Sequence, residues 1–196
     1  MRLADAFTTV RIVLAPVFCA FFFLPDMLGW GHGASVFILV PLFLFMEFTD
    51  YLDGLYARKS GVASDFGKLF DPFADVLANM TVLFTFVLSG YMHPAFFLVI
   101  LYREMGIMFV RTLASRQGVV IAARKGGKTK TVLYIVAAGF SLVLVSFTRL
   151  GLSLPVDAAL ARTVNHSLYA LATLASILSF IDYLRTFSSV LRSRPD

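Results

Sequence analysis

Residues 47–75 read EFTDYLDGLYARKSGVASDFGKLFDPFAD and hold six of the 12 acidic residues of the chain. Long apolar stretches lie on both sides of this segment. Asp50 and Asp53 are three residues apart, and Asp71 and Asp75 are four apart, so each pair shares one face of a helix. Carboxylates are costly in an apolar environment and repel one another, so the cluster needs cations. The pattern predicts a cation site between the cytoplasmic ends of two consecutive antiparallel helices.

The composition is that of a membrane protein. The apolar residues make up 59% of the 196 positions, the charged residues 15%, and the mean hydropathy is +0.82. Soluble domains typically have about 45–50% apolar and about 25% charged residues. The polar residues are too few to cover a water-soluble domain of this size, and a single cysteine excludes a disulfide scaffold.

Six apolar segments are each near the ~20 residues that cross a bilayer. They cover residues 7–25, 35–56, 66–89, 94–114, 131–147 and 164–186. The sequence therefore predicts an all-α fold with six transmembrane helices in a single domain, residues 1–196. We expect the phenylalanine-rich stretch 18–23 to face lipid.

The basic residues predict the orientation. An even number of spans places both termini on one side, where most of the basic residues then lie, against only Arg149 and Arg162 on the other. The positive-inside rule makes the former side cytoplasmic. The net charge of +5 therefore reflects topology, and no nucleic-acid partner is expected. The residues on the cytoplasmic side are Arg2, Arg58, Lys59, Lys68, Arg116, Arg124, Lys125, Lys128, Lys130, Arg192 and Arg194.

The acidic cluster has three interpretations. Oxygen ligands suit Mg²⁺, Mn²⁺ or Ca²⁺ rather than zinc, and four carboxylates neutralise two divalent ions, as in two-metal phosphoryl transfer. The acids could instead form an interfacial salt-bridge network with Arg58, Lys59 and Lys68. A cation transporter is a third interpretation, because membrane carboxylates also mark ion paths.

The fixed residues from Asp50 to Asp75 read D-x2-D-G-x2-A-R-x8-G-x3-D-x3-D. This pattern resembles, at every fixed position, the hallmark motif of the CDP-alcohol phosphatidyltransferase family. Because the family has a six-helix membrane core, the resemblance covers nearly the whole chain. It implies an enzyme with the CDP-alcohol phosphotransferase fold, which uses a CDP-linked lipid, lies among membrane lipids and forms a homodimer.

The resemblance also implies roles for the motif residues. Asp75 is the expected general base. Two divalent ions, Mg²⁺ or Mn²⁺, are expected at Asp50, Asp53, Asp71 and Asp75. The residues expected near the cytidine nucleotide are Asp53, Gly54, Ala57, Arg58, Ser64 and Gly67. Small residues such as Gly54, Ala57 and Gly67 also serve close helix packing in membranes, which is their alternative explanation.

The second half of the chain predicts a cationic pocket. Arg103 and Arg111 are eight residues apart, on one helix face and about 12 Å apart along its axis. Together with Lys128 and Lys130 they suit a phosphorylated acceptor and would match choline poorly. Arg103 could instead pair with Glu104, and the basic run 124–130 could bind anionic lipid headgroups.

Two segments of this half are similar to those of bacterial phosphatidylglycerophosphate synthases, namely Arg103-Glu-Met with Arg111, and Gly-Lys-Thr-Lys-Thr at 127–131. The resemblance implies phosphatidyl transfer from CDP-diacylglycerol to sn-glycerol 3-phosphate, with release of CMP, at the cytoplasmic membrane of a bacterium. The chain departs from those enzymes at Val76, where they usually carry lysine. Inositol phosphate is the nearest alternative acceptor, and a choline-type alcohol comes third.

Overall fold

The computed structural model describes residues 3–60, 65–116 and 125–192, which are helical apart from three connections and contain no strand. The helices are α1 (Leu3–Leu28), α2 (His32–Ser60), α3 (Asp65–Leu88), α4 (Pro94–Arg116), α5 (Lys125–Arg149) and α6 (Ala158–Arg192). Each predicted apolar segment falls within one helix, except that Ser89 follows the end of α3. The predicted all-α fold is confirmed.

Four stretches in the described residues are long and apolar enough to cross a membrane. They are Thr8–Leu28, His32–Thr49, Thr129–Arg149 and Ala158–Ser188. The apolar part of α3, Pro72–Leu88, is shorter. In α4, Arg103, Glu104 and Arg111 interrupt the apolar sequence. Several long apolar helices indicate an integral membrane protein, and the crossing of the membrane by α3 and α4 stays a prediction.

Helix α1 packs against both α2 and α3, and α5 packs against α6. Phe18 of α1 is fully buried, and its ring centroid lies 6.3 Å from those of Phe22, Phe43 and Phe86. The expectation that the stretch 18–23 faces lipid is therefore wrong for Phe18 and Phe22. These two side chains project towards α2 and α3, where aromatic rings fill the space between the helices.

The connections at 29–31, 89–93 and 150–157 lie at one end of the bundle, which we call the opposite end because the acidic motif lies at the other. Arg149 joins three helices there. Its Nη1 donates to Ser35 Oγ at 2.7 Å and its Nη2 to the carbonyl of Phe22 at 2.5 Å. Its guanidinium also lies 4.5 Å from the centroid of the Phe22 ring. These contacts hold α1, α2 and α5 together.

A second polar group fixes α6 near the same end. Asn165 Nδ2 donates to the carbonyl of Tyr91 in the α3–α4 connection at 2.6 Å. Ser141 of α5 lies 2.9 Å from both Asn165 Oδ1 and Tyr169 Oη. The side chains of Asn165, Ser141 and Tyr169 are buried. Their hydrogen bonds therefore satisfy polar groups that could not form hydrogen bonds with lipid.

Helices α4 and α6 approach closely at Gly106. A Cβ atom built on Gly106 would lie 2.9 Å from Cζ of Phe180. The absence of a side chain at Gly106 therefore makes room for the Phe180 ring between α4 and α6.

We expect Phe18→Ala to lower the free energy of unfolding by about 3–5 kcal/mol, because it opens a cavity among rings of three helices. Phe37→Ala makes the same chemical change on α2, where the side chain is 75% exposed, and should change stability far less. Thermal unfolding of both variants in detergent measures the difference. Equal losses would contradict the assignment of Phe18 to the core.

Candidate active site

The acidic motif spans the last turns of α2 and the first turns of α3. Ser60 ends α2 and Asp65 begins α3, so the two ends are joined by five Cα–Cα steps. This length limits their separation to about 18 Å. Because α1 packs against both helices, it supports the two halves of the motif.

Asp75 is the motif aspartate whose side chain the structure describes. Arg11 of α1 donates from Nη1 to Asp75 Oδ1. The Arg11 side chain is buried, whereas that of Asp75 is 44% exposed. The pair therefore orients a carboxylate that water or a cation can still reach. Sequence reasoning missed Arg11 as a site residue, although an arginine inside an apolar segment was a signal for it.

The remaining motif predictions fall outside the described side chains. These residues are Asp50, Asp53, Gly54, Ala57, Arg58, Ser64, Gly67 and Asp71 in the motif, and Lys128 in the predicted pocket. Among the side chains that are described, no three His, Cys, Asp or Glu residues lie close enough to hold a metal ion. The metal and nucleotide assignments therefore remain predictions.

A buried ionic cluster lies between α4, α5 and α6. Glu104 accepts a hydrogen bond from Arg103 Nη1 at its Oε2, at 2.9 Å, and one from Lys130 Nζ at its Oε1. Arg103 Nη2 also donates to Ser179 Oγ at 2.9 Å. Two of the four predicted pocket residues, Arg103 and Lys130, thus meet at one carboxylate. The alternative that Arg103 pairs with Glu104 is confirmed as a contact, and it does not exclude a role for Arg103 in binding an anion.

The hydroxyl of Tyr134 extends this cluster. It lies 3.3 Å from Glu104 Oε1 and 2.7 Å from Ser176 Oγ, and the Lys130 ammonium lies 5.1 Å from the centroid of its ring. Sequence reasoning missed Tyr134, Ser176 and Ser179. A signal was present, since Lys130 and Tyr134 are four apart and the two serines three apart, each pair on one helix face.

Arg111 lies apart from these hydrogen bonds. Its guanidinium is 5.9 Å from the centroid of the Tyr183 ring on α6. Arg111 Nε, Tyr183 Oη and Arg103 Nε are buried and have no hydrogen-bond partner among the described residues. Buried donors without partners are rare in proteins, so each of these groups is free to donate to a water or a ligand.

A helical membrane protein with a two-helix acidic motif and a separate buried cationic cluster is a candidate for transferring a charged phosphate group within a membrane. The chain belongs to the CDP-alcohol phosphatidyltransferase family, whose model matches residues 1–178. The predicted family is therefore confirmed. The protein is an enzyme, a transferase of phospholipid biosynthesis, and the cation-transporter interpretation is set aside.

Relatives within this family cover nearly the whole chain. The chain is 42% identical to the CDP-diacylglycerol–glycerol-3-phosphate 3-phosphatidyltransferase of Treponema pallidum, over 98% of this chain and 92% of that protein. It is 33% identical to a protein of the same name from Mycoplasma genitalium, over 93% of this chain and 82% of that protein. It is also 32% identical to a probable phosphatidylglycerophosphate synthase of Mycobacterium tuberculosis, over 93% of this chain and 80% of that protein.

We expect Arg11 and Asp75 to be energetically coupled. A double-mutant cycle with Arg11→Met and Asp75→Ala should give a coupling energy of about 0.5–3 kcal/mol in the free energy of unfolding, measured in mixed detergent micelles. Asp157 lies in the connection at the opposite end, far from Arg11. The effects of Arg11→Met and Asp157→Asn on the free energy of unfolding should therefore add within about 0.5 kcal/mol. Additivity of the first pair would show that the observed contact adds no stability.

Proposed function

We propose that this enzyme transfers the phosphatidyl group of CDP-diacylglycerol to sn-glycerol 3-phosphate and releases CMP. The observation that carries the proposal is the 42% identity, over 98% of this chain, to the CDP-diacylglycerol–glycerol-3-phosphate 3-phosphatidyltransferase of Treponema pallidum. The motif from Asp50 to Asp75 supports the CDP-linked donor. The buried Arg103 and the partly buried Lys130 and Arg111 support an anionic acceptor over choline.

The acidic motif fits a divalent metal site in its chemistry. Asp50, Asp53, Asp71 and Asp75 offer carboxylate oxygens alone, which suits Mg²⁺ or Mn²⁺. The half-exposed Asp75 carboxylate is open to a cation. We propose that these four residues hold two such ions, which neutralise the charge of the pyrophosphate and of the departing CMP.

The residues of the chain position the reactants and move one proton. Asp75 accepts the proton of the acceptor hydroxyl, whose oxygen attacks the lipid-side phosphorus. The bond from that phosphorus to the CMP oxygen breaks, and CMP leaves with the electron pair. Arg11 orients the Asp75 carboxylate through its hydrogen bond. We propose that Asp53, Gly54, Ala57, Arg58, Ser64 and Gly67 surround the nucleotide.

The acceptor phosphate is proposed to bind the cations of α4 and α5. Arg103 and Arg111 have buried Nε–H groups that can donate to phosphate oxygens. Lys130 lies beside Arg103 at Glu104, and Lys128 is two residues before it in sequence. Charge-assisted hydrogen bonds of this kind are roughly twice as strong as neutral ones.

The remaining parts of the proposal concern the membrane. We propose that all six helices of the single domain, residues 1–196, cross the cytoplasmic membrane of a bacterium, with both termini and the acidic motif on the cytoplasmic side. The distribution of basic residues supports this orientation. A homodimer is proposed from family resemblance alone.

The substrate assignment is tested by CMP release from CDP-diacylglycerol in mixed micelles with Mg²⁺ or Mn²⁺. We expect kcat/KM for glycerol 3-phosphate to exceed that for choline by about 100-fold or more, because a site built for a phosphate rejects a substrate that leaves its cations unpaired. Inositol phosphate carries the same phosphate and should be the nearer competitor, with a lower kcat/KM than glycerol 3-phosphate. EDTA should stop the reaction. Faster turnover with inositol phosphate or choline would overturn the acceptor assignment.

Asp75→Asn should reduce kcat by about 10²–10⁴-fold, the range that a general base contributes. Asp157→Asn is the matched control, since it makes the same change at a residue that caps α6 with hydrogen bonds to the amides of Ala159 and Leu160. Asparagine caps helices as well as aspartate, so this variant should retain activity. Thermal unfolding of both variants monitors the fold. A folded Asp75→Asn enzyme with near-normal kcat would remove the assigned base.

A further inference from the structure

Glu104 occupies an unusual position for an acid. It lies near the middle of α4, and its side chain and that of the adjacent Arg103 are both about 95% buried. Neighbouring residues of a helix point about 100° apart, yet both side chains turn into the space between α4, α5 and α6. The carboxylate there contacts Arg103 with one oxygen and Lys130 with the other. It is thus a bridge between cations from two helices.

This bridge does not neutralise the cluster. Arg103 and Lys130 carry two positive charges against the single negative charge of Glu104, and Arg111 adds another on the same face of α4. A phosphate monoester carries about −1.5 to −2 at pH 7. Glu104 therefore lowers the positive charge of the pocket by one without cancelling it, and the positive charge that remains can bind a phosphate dianion.

The bridge also fixes which donors remain for a ligand. Arg103 uses Nη1 on Glu104 and Nη2 on Ser179, so its guanidinium plane is held from two sides. Its Nε–H is buried and has no acceptor among the described residues. A guanidinium held in this way presents its remaining N–H groups in one fixed direction.

We propose that Glu104 is a positioning residue for the acceptor. It holds Arg103 and Lys130 in place for the acceptor phosphate and lowers, without cancelling, the positive charge that surrounds that phosphate. This inference rests on the proposed function, since it assigns a role within the same acceptor pocket. It differs from a purely structural salt bridge because it predicts a selective effect on acceptor binding.

The test is CMP-release kinetics in which glycerol 3-phosphate and CDP-diacylglycerol are varied separately. Glu104→Gln should raise KM for glycerol 3-phosphate by about tenfold or more, because the amide cannot accept from both cations. KM for CDP-diacylglycerol should stay within about twofold. Glu104→Asp keeps the charge and should recover part of the loss. Asp157→Asn removes an acid at the opposite end and should leave both KM values unchanged.

Ser179→Ala provides a second variant if Glu104→Gln fails to fold. It removes one of the two groups that hold the Arg103 guanidinium, with little change in volume. It should raise KM for glycerol 3-phosphate by about three- to tenfold and leave KM for CDP-diacylglycerol unchanged.

The outcomes separate this proposal from the proposed function. If the wild-type enzyme releases no CMP with glycerol 3-phosphate, the proposed function fails. If the wild-type enzyme is active and folded Glu104→Gln has an unchanged or lower KM for glycerol 3-phosphate, only the role of Glu104 is overturned. A lower KM would mean that Glu104 competes with the acceptor phosphate for the cations. Equal rises in both KM values would also overturn the role of Glu104, because the effect would then be structural and not selective for the acceptor.

Discussion

A charged side chain enclosed by apolar helices has to be paired, because neither lipid nor an apolar core can solvate it. This constraint explains how the few charges of the chain are arranged. Arg11 meets Asp75, Arg103 and Lys130 meet Glu104, and Arg149 meets Ser35 and the Phe22 carbonyl. The contacts of Arg11 and Arg149 join different helices. The pair of Arg103 and Glu104 lies within α4, which Lys130 connects to α5 and Ser179 connects to α6. These polar groups therefore join helices that the apolar core also packs together.

The opposite end of the bundle and the ionic cluster near the middle of α4 satisfy this constraint differently. At the opposite end, a hydroxyl, a carbonyl and an aromatic ring hold Arg149, and the Asp26 carboxylate lies 3.8 Å from its Nη2. Asn165 is held there by a backbone carbonyl. In the ionic cluster of α4, positive charge is left over and two guanidinium Nε–H groups have no acceptor among the described residues. Groups with unused bonding capacity are suited to ligands, even where, as at Arg103, they also join two helices.

The sequence was sufficient to predict the all-α fold and the family, because both depend on local patterns. Apolar length marks the helices, and the spacing from Asp50 to Asp75 marks the motif. It was not sufficient to predict contacts between helices distant in sequence. The residues of the Arg11–Asp75 pair are separated by 64 positions, and those of the Arg103–Ser179 pair by 76. The position of Phe18 was mispredicted for the same reason, since periodic apolar residues look alike whether they face lipid or another helix.

The packing of Phe180 against Gly106 bears on the alignment of the cationic cluster. Phe180 fills the space over Gly106, next in sequence to the Ser179 that contacts Arg103. A side chain at position 106 would have to displace this ring, and with it the part of α6 that presents Ser179. The hydrogen bond from Arg103 to Ser179 therefore depends on the absence of a side chain three residues further along α4. A single added methyl group would disturb the alignment of a guanidinium one helical turn away.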